Sequence, residues 1–100
     1  MIELSQVILR SPDEKPIEPL VVAALEGEKK EILTAILKTK EKLSLFEKRF
    51  NLSTAEFLAK AYQEIPQITE MDAIEWSGEH ETVKRLEQRL SRLQEIRVCT

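Results

Sequence analysis

Apolar side chains recur along most of this chain at the spacing of a helix, and they do so in two long stretches. Leu25, Ile32, Ile36, Leu43, Phe46 and Phe50 follow one another by steps of 7, 4, 7, 3 and 4 residues. Such steps keep one stripe on one side of an α-helix. Leu33 and Leu37 widen the stripe, and Lys and Glu occupy the remaining positions. Further on, Val83, Leu86, Leu90 and Leu93 keep a 3-4-3 spacing, with Ile96 continuing the same side. A seam that narrow suits lengthwise packing against another helix. The sequence predicts one helix from Leu20 to about Phe50 and another from about Glu70 to Val98. A helix of thirty residues spans about 45 Å, more than a compact domain of this length is wide. Two such rods side by side, antiparallel, are the expected solution.

The ends of these rods carry legible stop and start signals. Asn51 tolerates the left-handed conformation that closes many helices. Ser53-Thr54-Ala55-Glu56 has the form of a capping box, in which Ser53 and Glu56 satisfy each other's orphan amides. A short middle helix is expected from Thr54 to about Ile65, buried through Phe57, Leu58, Ala61, Tyr62 and Ile65 and stopped by Pro66. Thr69 with Asp72 forms a second N-cap, the acid favouring the positive helix end. Gly27 and the Ser77-Gly78 pair are places where the long helices are expected to weaken or break.

The N-terminal segment differs. Ile2 and Leu4 alternate with Glu3 and Ser5, and Val7-Ile8-Leu9 follows, a strand-like pattern over the first eleven residues. Pro12, Pro16 and Pro19 then enforce a loop. A lone strand has no independent stability, so it is expected to lie on the helices, pair with a copy or add to a partner's sheet. The expected organisation is an extended arm and proline loop over residues 1–19 and a helical domain over residues 20–100, in an all-α fold.

Composition narrows the function. Fifteen basic and eighteen acidic side chains leave a net charge of −3, a poor starting point for holding a polyanion. The turn at Phe50–Ser53 invites a helix-turn-helix reading, and hence a DNA-binding autoregulator. Its second helix, however, offers only Lys60 and Gln63 against Glu56 and Glu64, where DNA readers need basic phosphate contacts. The longest apolar run, Leu20 to Leu25, is far short of the roughly 20 residues a membrane span needs. No export signal is evident at the N-terminus. The single cysteine, Cys99, cannot form an internal disulfide, which fits a cytoplasmic setting.

Chemistry-bearing constellations are missing. His80 lies between Glu79 and Glu81, but successive helical residues diverge by about 100° and do not converge on a metal. No phosphate loop and no nucleophile beside a base can be found. No cofactor and no catalytic residue are therefore expected, and the chain reads as a non-enzyme. One charge pattern remains: Glu64, Glu70, Asp72, Glu75, Glu79 and Glu81 follow one another with no Lys or Arg between them. With Trp76 among them they form a candidate docking surface, since Trp is a favoured interface anchor. The competing account places Trp76 in the core and the acids at a helix start for dipole reasons. Similarly, Lys38, Lys40, Lys42, Lys48 and Arg49 read as a solvated face able to pair with acids of the last helix.

Two blocks carry a resemblance. The run from Lys42 through Leu43-Ser44-Leu45-Phe46-Glu47-Lys48-Arg49-Phe50-Asn51-Leu52-Ser53 to Phe57-Leu58, and Glu75-Trp76-Ser77-Gly78-Glu79 with the leucine seam after it, are similar to small helical prokaryotic proteins encoded beside toxin-like genes and regarded as antitoxins. The resemblance covers about Leu33 to Ile96. It departs at Phe50, where Tyr is usual, and at Asn51, where Gly is usual; a ring and a residue able to adopt positive φ are kept. It implies a protein that binds a cognate toxin. On that reading Glu70, Asp72, Glu75, Trp76 and Glu79 cover a basic cleft, while Ile2 and Leu4 in the arm add a strand. The residues alone also permit self-association, a homodimer through the seam of Val83, Leu86, Leu90 and Leu93.

Overall fold

A computed structural model describes residues 5–98. Its elements are α1 (Glu18–Phe50), α2 (Thr54–Leu58), a single 3-10 turn over Tyr62–Glu64, and α3 (Glu70–Gln94). No strand occurs among the described residues. α1 and α3 lie antiparallel, and almost all contact between elements is between these two. The fold is an all-α helical hairpin with a short middle helix. It is a rod of 64 × 32 × 17 Å with a radius of gyration of 19.9 Å, where a compact chain of this length has about 13 Å.

α1 starts two residues before the sequence signals place it. Pro19 sits in its first turn, where the missing amide hydrogen would have had no helical partner and the fixed φ suits a helix start. Gly27 interrupts nothing, and α1 runs unbroken for 33 residues. Its end is the expected one: Asn51 has φ 54° and ψ 44°, and the Leu52 amide donates to the Glu47 carbonyl at 3.2 Å. The stripe lands where its period requires. Ile32 and Ile36 are buried, and Leu25, Leu43, Phe46 and Phe50 are half-buried. Leu33 and Leu37, expected to widen it, remain 49% and 65% exposed. A single facing helix covers a narrower arc than these positions subtend.

Both capping boxes are complete. The Glu56 amide donates to Ser53 Oγ at 3.0 Å and the Ser53 amide to Glu56 Oε1 at 3.1 Å. At α3, the Asp72 amide donates to Thr69 Oγ1 at 3.0 Å and the Thr69 amide to Asp72 Oδ2 at 3.2 Å. The middle helix is shorter than expected. It ends at Leu58, Ala61 turns extended, and the 3-10 turn leads to Ile65, also extended. Pro66 disfavours helical backbone at the residue before it, and so short a helix gains little from propagation. Leu58 and Ala61, expected inside, are accordingly exposed, while Phe57 and Ile65 are both 4% exposed. α3 ends at Gln94 rather than Val98 and passes Ser77-Gly78 without a break; the Ser77 hydroxyl donates to the Ala73 carbonyl within the helix.

The arm carries no strand in its described part. Val7, Ile8 and Leu9 are 85%, 77% and 57% exposed. Ile2 and Leu4 lie outside the described residues. Each N-cap oxygen holds one amide that would otherwise be unpaired. Ser53→Ala and Thr69→Ala should each lower stability by about 1 kcal/mol, read as a shift in the urea midpoint at unchanged slope.

Candidate interaction surface

Trp76 anchors the end of the hairpin nearest the turn. It is fully buried and lies parallel to three phenylalanine rings: Phe57 at 4.1 Å between centroids, Phe46 at 5.4 Å and Phe50 at 5.8 Å. Phe46 and Phe50 are one turn apart on α1, and Phe57 is the buried residue of α2. The indole N–H donates to Thr54 Oγ1 at 3.0 Å. Thr54 in turn donates to Glu47 Oε2, from its amide at 2.8 Å and its hydroxyl at 3.1 Å. A residue of α1 therefore holds the first turn of α2, and α2 holds the tryptophan of α3. Leu43, Leu52, Tyr62 and Ile68 close the cluster around Phe57, Ile65, Ala73 and Trp76.

That placement corrects one expectation. Trp76 does not stand on a docking surface: its ring is inside the chain, and no partner can touch it while the hairpin is folded. The five proposed contact residues of α3 do not share one face. Asp72 points to α1, where Arg49 meets it at 3.2 Å, and Glu79 meets Lys42 at 3.6 Å. Glu70 and Glu75 face solvent. The basic stretch of α1 pairs with acids of α3 as the sequence suggested, Lys40 meeting Glu87 at 3.4 Å in addition. Farther along, Arg89 reaches Glu28 at 2.8 Å. Ion pairs at the surface add little to stability, and these follow the register that the packing sets.

The seam is occupied as well. Val83 is buried, and Leu86, Leu90 and Leu93 are half-buried, on the side of α3 that faces α1. Self-association through that seam would require the hairpin to open, so the structure does not offer those side chains to a second copy. An open groove of about 300 Å³ lies between α1 and α3, lined by Lys42, Leu45, Phe46, Arg49, Glu75 and Glu79. Two apolar residues among the acids went unnoticed in the sequence: Met71 and Ile74, 71% and 61% exposed. Their signal was available, since an apolar residue directly after Ala73 is out of phase with the buried positions Ala73 and Trp76. Among the described residues no three His, Cys, Asp or Glu side chains converge as metal ligands. No described helix is long and apolar enough to cross a membrane.

No family model, curated protein or solved structure matches the chain. The surface must be read from its own chemistry. α2, at five residues, is too short to lie along a DNA groove as a reading helix does.

The acids of the two capping boxes have pKa values held below their ordinary range. The Ser53 amide lowers Glu56, with the Ser53 hydroxyl helping. The Thr69 amide lowers Asp72, with the Thr69 hydroxyl and then Arg49 adding to it. A carboxyl whose folded pKa is depressed stabilises the fold above its unfolded pKa, and that stability is lost as the pH falls through the folded value. Acidification below the ordinary values of 4.5 and 3.8 should therefore loosen both N-caps. Urea midpoints at neutral pH and near pH 3 will check this: Glu56→Gln and Asp72→Asn should flatten the difference.

The buried indole yields a second expectation. Trp76→Ala should cost about 3–5 kcal/mol, a large fraction of the stability of a domain of this size, read as a lowered urea midpoint. Thr54→Val, which removes only the hydroxyl, should cost about 1–3 kcal/mol and leave the helical circular dichroism unchanged at neutral pH.

Proposed function

We propose that the chain is a non-enzymatic protein–protein interaction module of antitoxin type, which binds a cognate toxin and silences it. The observation that carries this reading is how the side chains are divided. Among the described residues no buried side-chain polar atom lacks a partner, and polar side chains are engaged within the fold in two capping boxes, the Glu47–Thr54–Trp76 chain and the ion pairs across the hairpin. Large apolar side chains are left bare instead, in the arm at Val7, Ile8 and Leu9 and on α3 at Met71 and Ile74. A surface of that kind suits association rather than turnover.

The resemblance to antitoxin-like proteins supplies the partner class. On this reading Glu70 and Glu75 meet the basic cleft of a nuclease-like toxin, and the acidic side chains suppress its hold on nucleic acid by occupying it. Asp72, Glu79 and Trp76 act indirectly, by fixing α3 against α1 so that the two exposed acids are presented on a rigid element. The arm, with Ile2 and Leu4 in its first residues, adds a strand to an open sheet edge of the toxin. A cytoplasmic location belongs to the same reading.

Co-expression with the product of the adjacent gene provides the test. The expected result is rescue of growth and a complex that survives purification. Glu70→Lys combined with Glu75→Lys should weaken that complex by about tenfold or more while leaving the thermal unfolding of the free chain within a few degrees. Absence of both complex and rescue would overturn the reading.

A further inference from the structure

α3 has a second row of residues that the hairpin does not use. Met71, Ile74, Gly78, Glu81 and Arg85 follow one another by steps of 3, 4, 3 and 4, the spacing of a helix-packing seam. The row lies on the side of α3 away from Trp76 and Val83, and all five residues are exposed. Its first half is apolar at the centre, through Met71 and Ile74, with the exposed acids Glu70 and Glu75 beside them. Its second half carries Arg85, with Lys84 next to it.

Gly78 stands at the middle of this row. A glycine inside a helix costs about 1 kcal/mol relative to alanine, and here nothing within the chain demands it. A Cβ at this position would have no heavy atom within 4 Å. The backbone is left open at the one place where a second helix crossing the row would come closest.

We propose that this outer face of α3 is a self-complementary interface, on which a second copy of the chain packs with its α3 antiparallel and the two-fold axis at Gly78. The charges select the copy and its direction. Reversal of the second helix brings Glu70 of each copy to Lys84 and Arg85 of the other, where a parallel pair would set Glu70 on Glu70; Glu75 and Glu81 of the other copy then stand level but on opposite flanks of the seam, about 120° apart around the helix. With the axis at Gly78, Met71 lies over the aliphatic stem of Arg85 of the second copy, Ile74 meets Thr82, and Glu70 comes within a turn of Lys84 and Arg85. Each contact occurs twice, as an isologous interface requires. Glu81, the acid within the row, is already met by Lys84 of its own chain at 3.7 Å. The contact spans about four turns of helix, a small interface, so the affinity is about micromolar or weaker. The proposal is independent of the toxin reading, because it concerns the purified chain alone.

Sedimentation equilibrium of the full chain, from micromolar to near-millimolar concentration and at low and high salt, tests it. The expected result is a monomer–dimer equilibrium weakened by salt. Ile74→Glu should raise the dissociation constant at least about tenfold, and Arg85→Glu by about tenfold. Glu70→Arg together with Arg85→Glu should recover most of that loss. Leu37→Glu, on α1, and Gly27→Ala should leave the equilibrium unchanged, with Trp76 fluorescence reporting an intact core in every variant. A monomer at all concentrations would overturn the proposal, as would a dimer that Leu37→Glu dissociates or that Ile74→Glu leaves intact.

Discussion

The stacking of Trp76 against three phenylalanines is the interaction on which the hairpin depends. Two antiparallel rods with a narrow apolar seam can slide by a turn at little cost, because leucine against leucine looks alike from one turn to the next. A large flat ring that fits among Phe46, Phe50 and Phe57 at one position only removes that freedom. The indole hydrogen bond to Thr54 and the Thr54 bonds to Glu47 add direction, since a buried N–H without an acceptor costs more than the bond itself contributes. The ion pairs further along the rods then fall into register instead of defining it.

The consequence is an uneven distribution of order. The end near the turn holds the aromatic cluster, both capping boxes and the left-handed Asn51. The other half of the hairpin is held by a thinner line of Ile32, Ile36, Val83 and the half-buried leucines. Local opening is least costly where fewest apolar contacts must be broken, so the free ends of the rods should exchange amide hydrogens before the turn does. A partner that engages the acids and exposed apolar residues of early α3 therefore meets the stiffest part of the molecule, and a rigid surface loses less entropy on binding than a loose one.

The sequence showed the fold more clearly than the site, for a physical reason. Helix existence, the Asn51 stop and the two capping boxes are encoded locally, within four residues of where they act, and each was found where its pattern stood. Thr54–Leu58 is helical as its capping box requires, but the helix does not continue to Ile65: Leu58 and Ala61 keep helical spacing, while Pro66 and the pull of Phe57 and Ile65 toward Trp76 bend the chain away from it. Trp76 was the harder case. A tryptophan among acids reads equally as an anchor for a partner or as a core residue, and only the positions of Phe46, Phe50 and Phe57, up to thirty residues distant in sequence, decide between them. The ion pairs of Arg49 with Asp72 and Lys42 with Glu79 were foreseeable in kind from the charge pattern, but their register follows from where the indole sits.

Once Trp76 is assigned to the interior, the meaning of its neighbours changes. Ala73, Trp76 and Val83 define the side of α3 that faces α1, so Met71, Ile74 and Gly78 must face outward. No described element of the chain covers them. Exposed apolar residues are common singly and need no explanation. Two of them one turn apart, in line with a glycine that the helix would be more stable without, form a pattern that the free hairpin does not account for.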